Sequence, residues 1–306
     1  MSNAESSLAT SAPRVLVLGA NGGLGRALVR ELAHTCFVTA WTRADLDLSQ
    51  PTQIAARLQT LDFDVLLNPA GLTSPDICEL QPELAHRINA EAPGHLAAAC
   101  QQRGARFIHF STDYVFSGEG RERWPEDAET LPINEYGRSK LAGERAAAEN
   151  TDRVLLARVS WLFGPDKPSH PDQIIARALQ LSELSAITDK TSAPTFTRDI
   201  CTWIAGLIHD HPQLSGPLHL CNGGSTSWHG WAEAALEIAQ RLGLPVLTTE
   251  LGSSALTEAT FFKAPRPRHT TLDNTRLAQL LGAPPRDWRA ALEAYLTAQY
   301  GDRSSS

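Results

Sequence analysis

Tyr136 and Lys140 stand four residues apart in the stretch Tyr136-Gly137-Arg138-Ser139-Lys140. Residues 136–149 are rich in Ala, Glu and Arg, which predicts a helix. On a helix, positions i and i+4 share a face, so a phenol and an ammonium would project into one space. A free tyrosine, with a pKa of about 10, is a poor proton donor at neutral pH. A neighbouring cation favours the phenolate and lowers that value, making Tyr136 a candidate general acid or base. A Tyr and a Lys at this spacing are also common on exposed helices. The pair acquires meaning only if a dinucleotide site lies upstream.

Such a site is written at the start of the chain. Arg14–Leu18 is an apolar, β-branched run, as a buried parallel strand requires, and residues 26–33 carry a helix pattern. Between them lies Gly19-Ala20-Asn21-Gly22-Gly23-Leu24-Gly25, with glycines at 19, 22 and 25. Glycines there permit a tight turn and close backbone approach to a pyrophosphate, and the helix start offers N–H groups and a positive dipole end. Gly19, Asn21, Gly22, Gly23, Leu24 and Gly25 are therefore candidate cofactor contacts. The expected second strand, Phe37–Trp41, is followed by Thr42-Arg43 where an NAD site would carry an acid. Arg43 could pair with a 2′-phosphate, which leans towards NADPH over NADH, or it could be a solvated side chain. Asp45–Leu48 resembles a third short strand near the adenine, adding Asp47 and Leu48 to the cofactor set.

Further along, Pro51–Thr60 reads as a helix and Val65–Asn68 as a strand ending in Pro69-Ala70-Gly71. Asn68, Ala70 and Gly71 are candidates for close approach to the cofactor. A helix is expected over 82–102. The strand Phe107–Phe110 delivers Ser111 and Thr112 at its carboxyl end, where open parallel sheets place their chemistry. The next strand, Val154–Val159, ends at Ser160-Trp161. A helix over 172–184, an irregular stretch over 186–197, a late strand over 217–221 and a Ser227-capped helix over 228–242 follow. Residues 264–268 form a stiff basic loop, and helices over 272–281 and 288–299 close the chain. The fold class is α/β: a Rossmann-type doubly wound parallel sheet over residues 13–165, with a return at about 190–222. A smaller C-terminal substrate-binding lobe occupies mainly 166–300, and 1–12 and 302–306 are expected to be flexible termini.

Composition narrows the class. The chain has 306 residues, 42% hydrophobic and 20% charged, enough for a large core. A net charge of −7 gives no support for nucleic-acid binding. Five cysteines (36, 78, 100, 201, 221) are scattered without C-x-x-C spacing, which suggests reduced thiols in a cytoplasmic protein and no metal site. No apolar run approaches about 18 residues, so no membrane span is expected, and the polar N-terminus is not a signal peptide. The ten histidines have no ligand-like spacing and are read as satisfied core or surface side chains.

In order along the chain stand VLGANGGLG, TRADLDLS, NPAGLTSPDICE, FSTDYVFSG, YGRSKLAGE, ARVSWLFG, TDKTSAPTFTRDI, NGGSTSW and RPRHTTLD. Together they resemble the extended short-chain dehydrogenase/reductases, and more narrowly the dTDP-4-dehydrorhamnose reductase family; STDYVFSG with SWLFG is the specific part. The resemblance implies a catalytic trio of Thr112, Tyr136 and Lys140, with Tyr136 and Lys140 also at the cofactor. It implies reduction of a 4-keto sugar nucleotide with NADPH (or NADH): hydride to C4, a proton from Tyr136, and Thr112 donating to the same oxygen. It places Thr73, Thr112, Asp113, Tyr114 and Trp161 at the sugar and Arg266 near the diphosphate, and it leaves a homodimer open. The chain departs from the family pattern at Pro69, Leu72, Lys190-Thr191-Ser192-Ala193 and Thr270, all around the substrate. Two alternatives remain beside the reductase. One is an enzyme for another keto sugar nucleotide or an NAD-retaining epimerase. The other is a non-catalytic NADP-binding subunit resembling the regulatory subunit of methionine adenosyltransferase.

Overall fold

The computed structural model describes residues 12–120 and 122–301; the tails expected to be flexible lie, apart from residue 12, outside the described residues. Six strands form one parallel sheet. In chain order they are β1 (Arg14–Leu18), β2 (Phe37–Trp41), β3 (Val65–Asn68), β4 (Arg106–Thr112), β5 (Val154–Val159) and a sixth, Gly216–His219. Across the sheet the order is β2-β1-β3-β4-β5 and then the sixth strand. The inner strands β1, β3, β4 and β5 are buried almost throughout because both faces are covered, while the edge strand β2 is largely exposed. Val15 and Val17 pack on one side with helices α1 (Gly23–Leu32) and α8 (Thr197–His209), through Leu28, Leu32, Ile200 and Ile204. Leu16 and Leu18 point to the opposite side, where α2 (Ile54–Leu58) and α5 (Ala92–Arg103) bring Ile54, Leu58, Leu96 and Cys100.

The other helices are α3 (Pro75–Leu80), α4 (Pro82–His86), α6 (Glu135–Asn150), α7 (His170–Ala178), α9 (Trp228–Arg241), α10 (Thr275–Leu281) and α11 (Trp288–Tyr300). A second core joins α9 and α11 through Phe163, Phe196, Trp231, Leu292 and Tyr295. A smaller cluster ties α7 and α9 to a strand at Leu184–Ile187, which pairs with Leu251–Ser254. All five cysteines are buried free thiols. No helix among the described residues is long and apolar enough to cross a membrane.

Several sequence expectations are corrected. Asp45–Leu48 is not a strand: Asp45 Oδ2 accepts from Thr42 N (2.8 Å) and Thr42 Oγ1 (2.9 Å), and Asp47 Oδ1 accepts from Ser49 N (2.9 Å), so side chains curl the backbone into turns. The helix expected over 51–60 is a short 3₁₀ turn leading into α2. The helix over 172–184 starts and ends earlier, because Asp172 Oδ2 accepts from both the N–H (2.7 Å) and the hydroxyl (2.6 Å) of Ser169. The stretch read as irregular holds three short strands, and α8 follows directly. Helix 82–102 is interrupted by a π turn at Arg87–Glu91. Helix α10 begins at Thr275 rather than 272, where Asp273 Oδ1 accepts from Thr275 N (2.8 Å).

Candidate active site

A cavity of about 700 Å³ opens along the carboxyl ends of the parallel strands. Following the strand order, it begins at the β1 turn and β2 and ends at β4, β5 and the start of α6. Gly19, with φ +62, turns the chain out of β1. A Cβ on Gly25 would stand 2.1 Å from Gly19 O, so only glycine lets α1 start against that turn. Gly22, the N-cap, makes no side-chain cap bond, which leaves the first-turn N–H groups for a ligand. Gly19, Asn21, Gly22, Gly23, Leu24 and Gly25 all line the cavity, as do Arg43, Asp47 and Leu48. Arg43 is 74% exposed and pairs with Asp47 (3.1 Å). Ala70, Gly71 and Thr73 line the middle. Their loop is pinned by Asn89, which accepts from Leu72 N (2.8 Å) and donates to Leu72 O (2.9 Å) from within the π turn.

At the other end stand Thr112, Asp113, Tyr114, Tyr136, Lys140 and Trp161. Asn134 caps α6, its Oδ1 accepting from Gly137 N (2.8 Å). A Cβ on Gly137 would stand 2.2 Å from Tyr114 O, so this glycine lets α6 close on the 113–115 turn. Tyr136 and Tyr114 then meet edge to face, with centroids 5.5 Å apart. Thr112 and Tyr136 line the same end of the cavity, and the Thr112 hydroxyl donates to Asp113 Oδ1 (3.1 Å). Burial pushes the Tyr136 phenol above its ordinary pKa, and the Thr112 contact works against that shift. Lys140 Nζ donates to Phe110 O (2.6 Å) and faces His109 Nε2 (3.3 Å). Burial pulls its pKa down to about 8, opposed by Glu144. The expected lowering of the tyrosine by Lys140 is not seen; desolvation dominates the shift, and the phenol stays protonated at neutral pH.

The wall behind Tyr114 and Trp161 is a buried charge network. Asp113 accepts from Thr270 Oγ1 (2.6 Å), Ser192 Oγ (3.2 Å) and Thr112 Oγ1 (3.1 Å), while burial raises its pKa. Lys190 is fully buried; its Nζ donates to Pro267 O (2.5 Å) and lies over the rings of Tyr114 (4.9 Å), Trp228 (5.6 Å) and Trp161 (5.9 Å). Trp161 adopts φ +42, a left-handed conformation strained for a bulky residue, and its ring stacks on Trp231 at 5.5 Å. Lys190 and Thr270 belong to this one network.

Two expected contacts lie elsewhere. Asn68 is fully buried beneath the cavity, its Nδ2 3.2 Å from His109 Nδ1, because the last residue of β3 points into the sheet's cover rather than along its edge. Arg266 is held by Asp76 (2.9 Å) and Ala264 O (2.9 Å) and stacks on Phe262 at 4.3 Å. It lines a separate hollow with Lys263 and Arg268. Conversely, Asp166, Lys167 and Ser169 line the main cavity though no quoted motif contains them, SWLFG marking only the start of their segment, and Thr197 within TDKTSAPTFTRDI lines it too. Among the described residues no cluster of His, Cys, Asp or Glu could hold a metal ion.

A model of the RmlD substrate binding domain matches residues 13–300. The dTDP-4-dehydrorhamnose reductase of Burkholderia thailandensis is 33% identical over 287 residues, covering 91% of this chain and 96% of the relative. The probable dTDP-4,6-dihydroxy-2-methyloxan-3-one 4-ketoreductase of Streptomyces antibioticus is 34% identical over 283 residues, with 91% and 93% covered. Among solved structures, dTDP-4-dehydrorhamnose reductase from Bacillus anthracis in complex with NADP superposes with a TM-score of 0.87 at 29% identity, over 94% of this chain and 100% of that one. Because these matches take in both ends of the cavity and the lobe beside it, the chain belongs to the dTDP-4-dehydrorhamnose reductase family of extended short-chain dehydrogenase/reductases.

Proposed function

We propose that this protein is an NAD(P)H-dependent oxidoreductase that reduces a 4-keto sugar nucleotide, with dTDP-4-dehydrorhamnose as substrate and dTDP-L-rhamnose as product. The observation that carries this reading is the gathering of Thr112, at the carboxyl end of β4, with Tyr136 and Lys140 of α6 in one cavity with the glycine turn. The cavity fits a dinucleotide: Gly25 leaves room that a Cβ would fill, and α1 starts without a side-chain cap. Gly19 to Gly25 would hold the pyrophosphate, Arg43 and Asp47 the adenosine ribose, and Ala70, Gly71 and Lys140 the nicotinamide side. Bound there, the reduced nicotinamide supplies the hydride that C4 receives.

Tyr136 gives its phenolic proton to the oxygen on C4 as the ketone becomes an alcohol. A phenol kept protonated by burial suits this direction of transfer. Thr112 donates to the same oxygen and stabilises its developing charge. The charged Lys140 favours the phenolate that forms. Tyr114 and Trp161 offer aromatic faces to the apolar C–H side of the sugar, and Asp113 and Thr73 are polar contacts at its edge. Arg43, tied only to a neighbouring acid at the surface, is free to meet a 2′-phosphate, which supports NADPH over NADH. Reduction with cofactor deuterated at the transferred position, followed by NMR of the product, tests this directly. Deuterium at C4 of dTDP-L-rhamnose is expected; unlabelled or unreduced sugar contradicts it.

A further inference from the structure

Beneath Lys140 lies a buried chain of polar groups that catalysis as described above does not use. His109 sits on β4, in register with Asn68 on β3, and both side chains are fully buried. Nε2 of its ring is 3.3 Å from Lys140 Nζ and Nδ1 is 3.2 Å from the Asn68 amide. An ammonium only donates, so Nε2 facing it must accept. The ring proton then sits on Nδ1 and needs an acceptor. Asn68 Oδ1 is otherwise without a partner, and a half-turn of the amide brings it to Nδ1. Phe110 O takes a second proton of Lys140 at 2.6 Å. Two of the three N–H bonds are thereby fixed below the cavity floor, and the third points towards it.

We propose that His109, locked by Asn68, is a positioning residue that accepts from Lys140 and so keeps it charged and aimed at the cofactor and Tyr136. The inference rests on the reading of Lys140 as part of the reductive site. The groups facing Lys140 are few: Glu144 on its own helix, already bound to Arg158 of β5 (2.8 Å), Cys78 from α3, and His109 from β4. Facing His109 are Lys140, Asn68 and the Phe107 ring at 5.8 Å. Burial and the adjacent ammonium hold the imidazole pKa well below its ordinary value, so the ring stays an uncharged acceptor. Since Lys140 loses its charge above about 8, removing its acceptor moves that loss to lower pH.

The chain has four lysines (140, 167, 190, 263), so Cε labelling of the full-length apoprotein gives a readable NMR titration, with Lys140→Arg assigning the signal. His109→Phe is expected to lower the Lys140 midpoint by about one unit, the scale of one lost charge-assisted hydrogen bond. His109→Gln, which retains an acceptor, restores it. The alkaline limb of the turnover profile moves with the midpoint: His109→Phe loses about fivefold near pH 8 and little near pH 6. In the wild type, ring nitrogen NMR is expected to show the Nδ1–H tautomer for His109, a reading that needs no variant to fold. An unchanged midpoint in folded His109→Phe, an Nε2–H tautomer, or a moved midpoint with an unmoved alkaline limb overturns the proposal. The two NMR readouts need no substrate, so a wrong choice of sugar leaves them standing.

Discussion

At the Gly19–Gly25 end of the cavity the walls are backbone; at the Tyr114–Trp161 end they are side chains held by partners far away in sequence. The glycine turn needs only one strand, one helix and the close contact of Gly25 with Gly19 O. The opposite wall needs Asp113, Ser192 and Thr270 to share hydrogen bonds, and Lys190 to lie among Tyr114, Trp161 and Trp228. The second end holds both Lys190 and Thr270. The glycine-turn end is thus fixed by local geometry, and the opposite end by a buried network of charged and polar side chains.

Substitutions at the two ends should separate in what they disturb. The largest effect is expected between them: Tyr136→Phe lowers kcat by about 10²-fold or more while leaving NADPH affinity unchanged, the scale of lost acid–base catalysis. Near-normal turnover would remove Tyr136 from proton transfer. At the backbone end, Gly25→Ala forces α1 away from the turn, at a cost of about 1–3 kcal/mol, and should weaken NADPH binding about tenfold or more. Fluorescence titration reads this, and an unchanged Kd would mean that the tight start of α1 does not matter to binding. At the side-chain end, Lys190→Met removes a cation buried among aromatic rings, an interaction of about 1 kcal/mol. It should raise KM for the sugar nucleotide about fivefold and spare the cofactor Kd; a loss of cofactor affinity would erase the distinction between the ends. The smallest effect belongs to Arg43→Ala, where an exposed pair is worth about 0.5 kcal/mol and NADPH should weaken two- to threefold more than NADH. Equal losses would show that Arg43 does not read the 2′-phosphate.

The same contrast governs what the sequence reveals. The glycine turn and the Tyr136–Lys140 helix are local, so spacing alone places them on the cavity. Side-chain direction at a strand end is not local, which is why Asn68 reads as a cofactor contact and instead lies buried under the floor with His109. Arg266 stands in a basic loop, and nothing in its neighbours announces Asp76, on α3 across the fold, as its partner. Asp45–Leu48 carries strand-like alternation, but two aspartates turn the backbone back on itself. His109 has no ligand-like spacing to any other residue; only the pairing of β3 with β4 and the packing of α6 bring Asn68 and Lys140 to its two nitrogens.

The account stands most directly on cofactor oxidation by the wild-type protein. The absorbance of NADPH and of NADH should be followed with enzymatically made dTDP-4-dehydrorhamnose, with and without the sugar. Oxidation that depends on the sugar, is faster with NADPH and yields dTDP-L-rhamnose is the expected result. A folded protein that binds NADPH but oxidises it at the same rate with and without the sugar would contradict the reading of this cavity as a 4-keto sugar nucleotide reductase site.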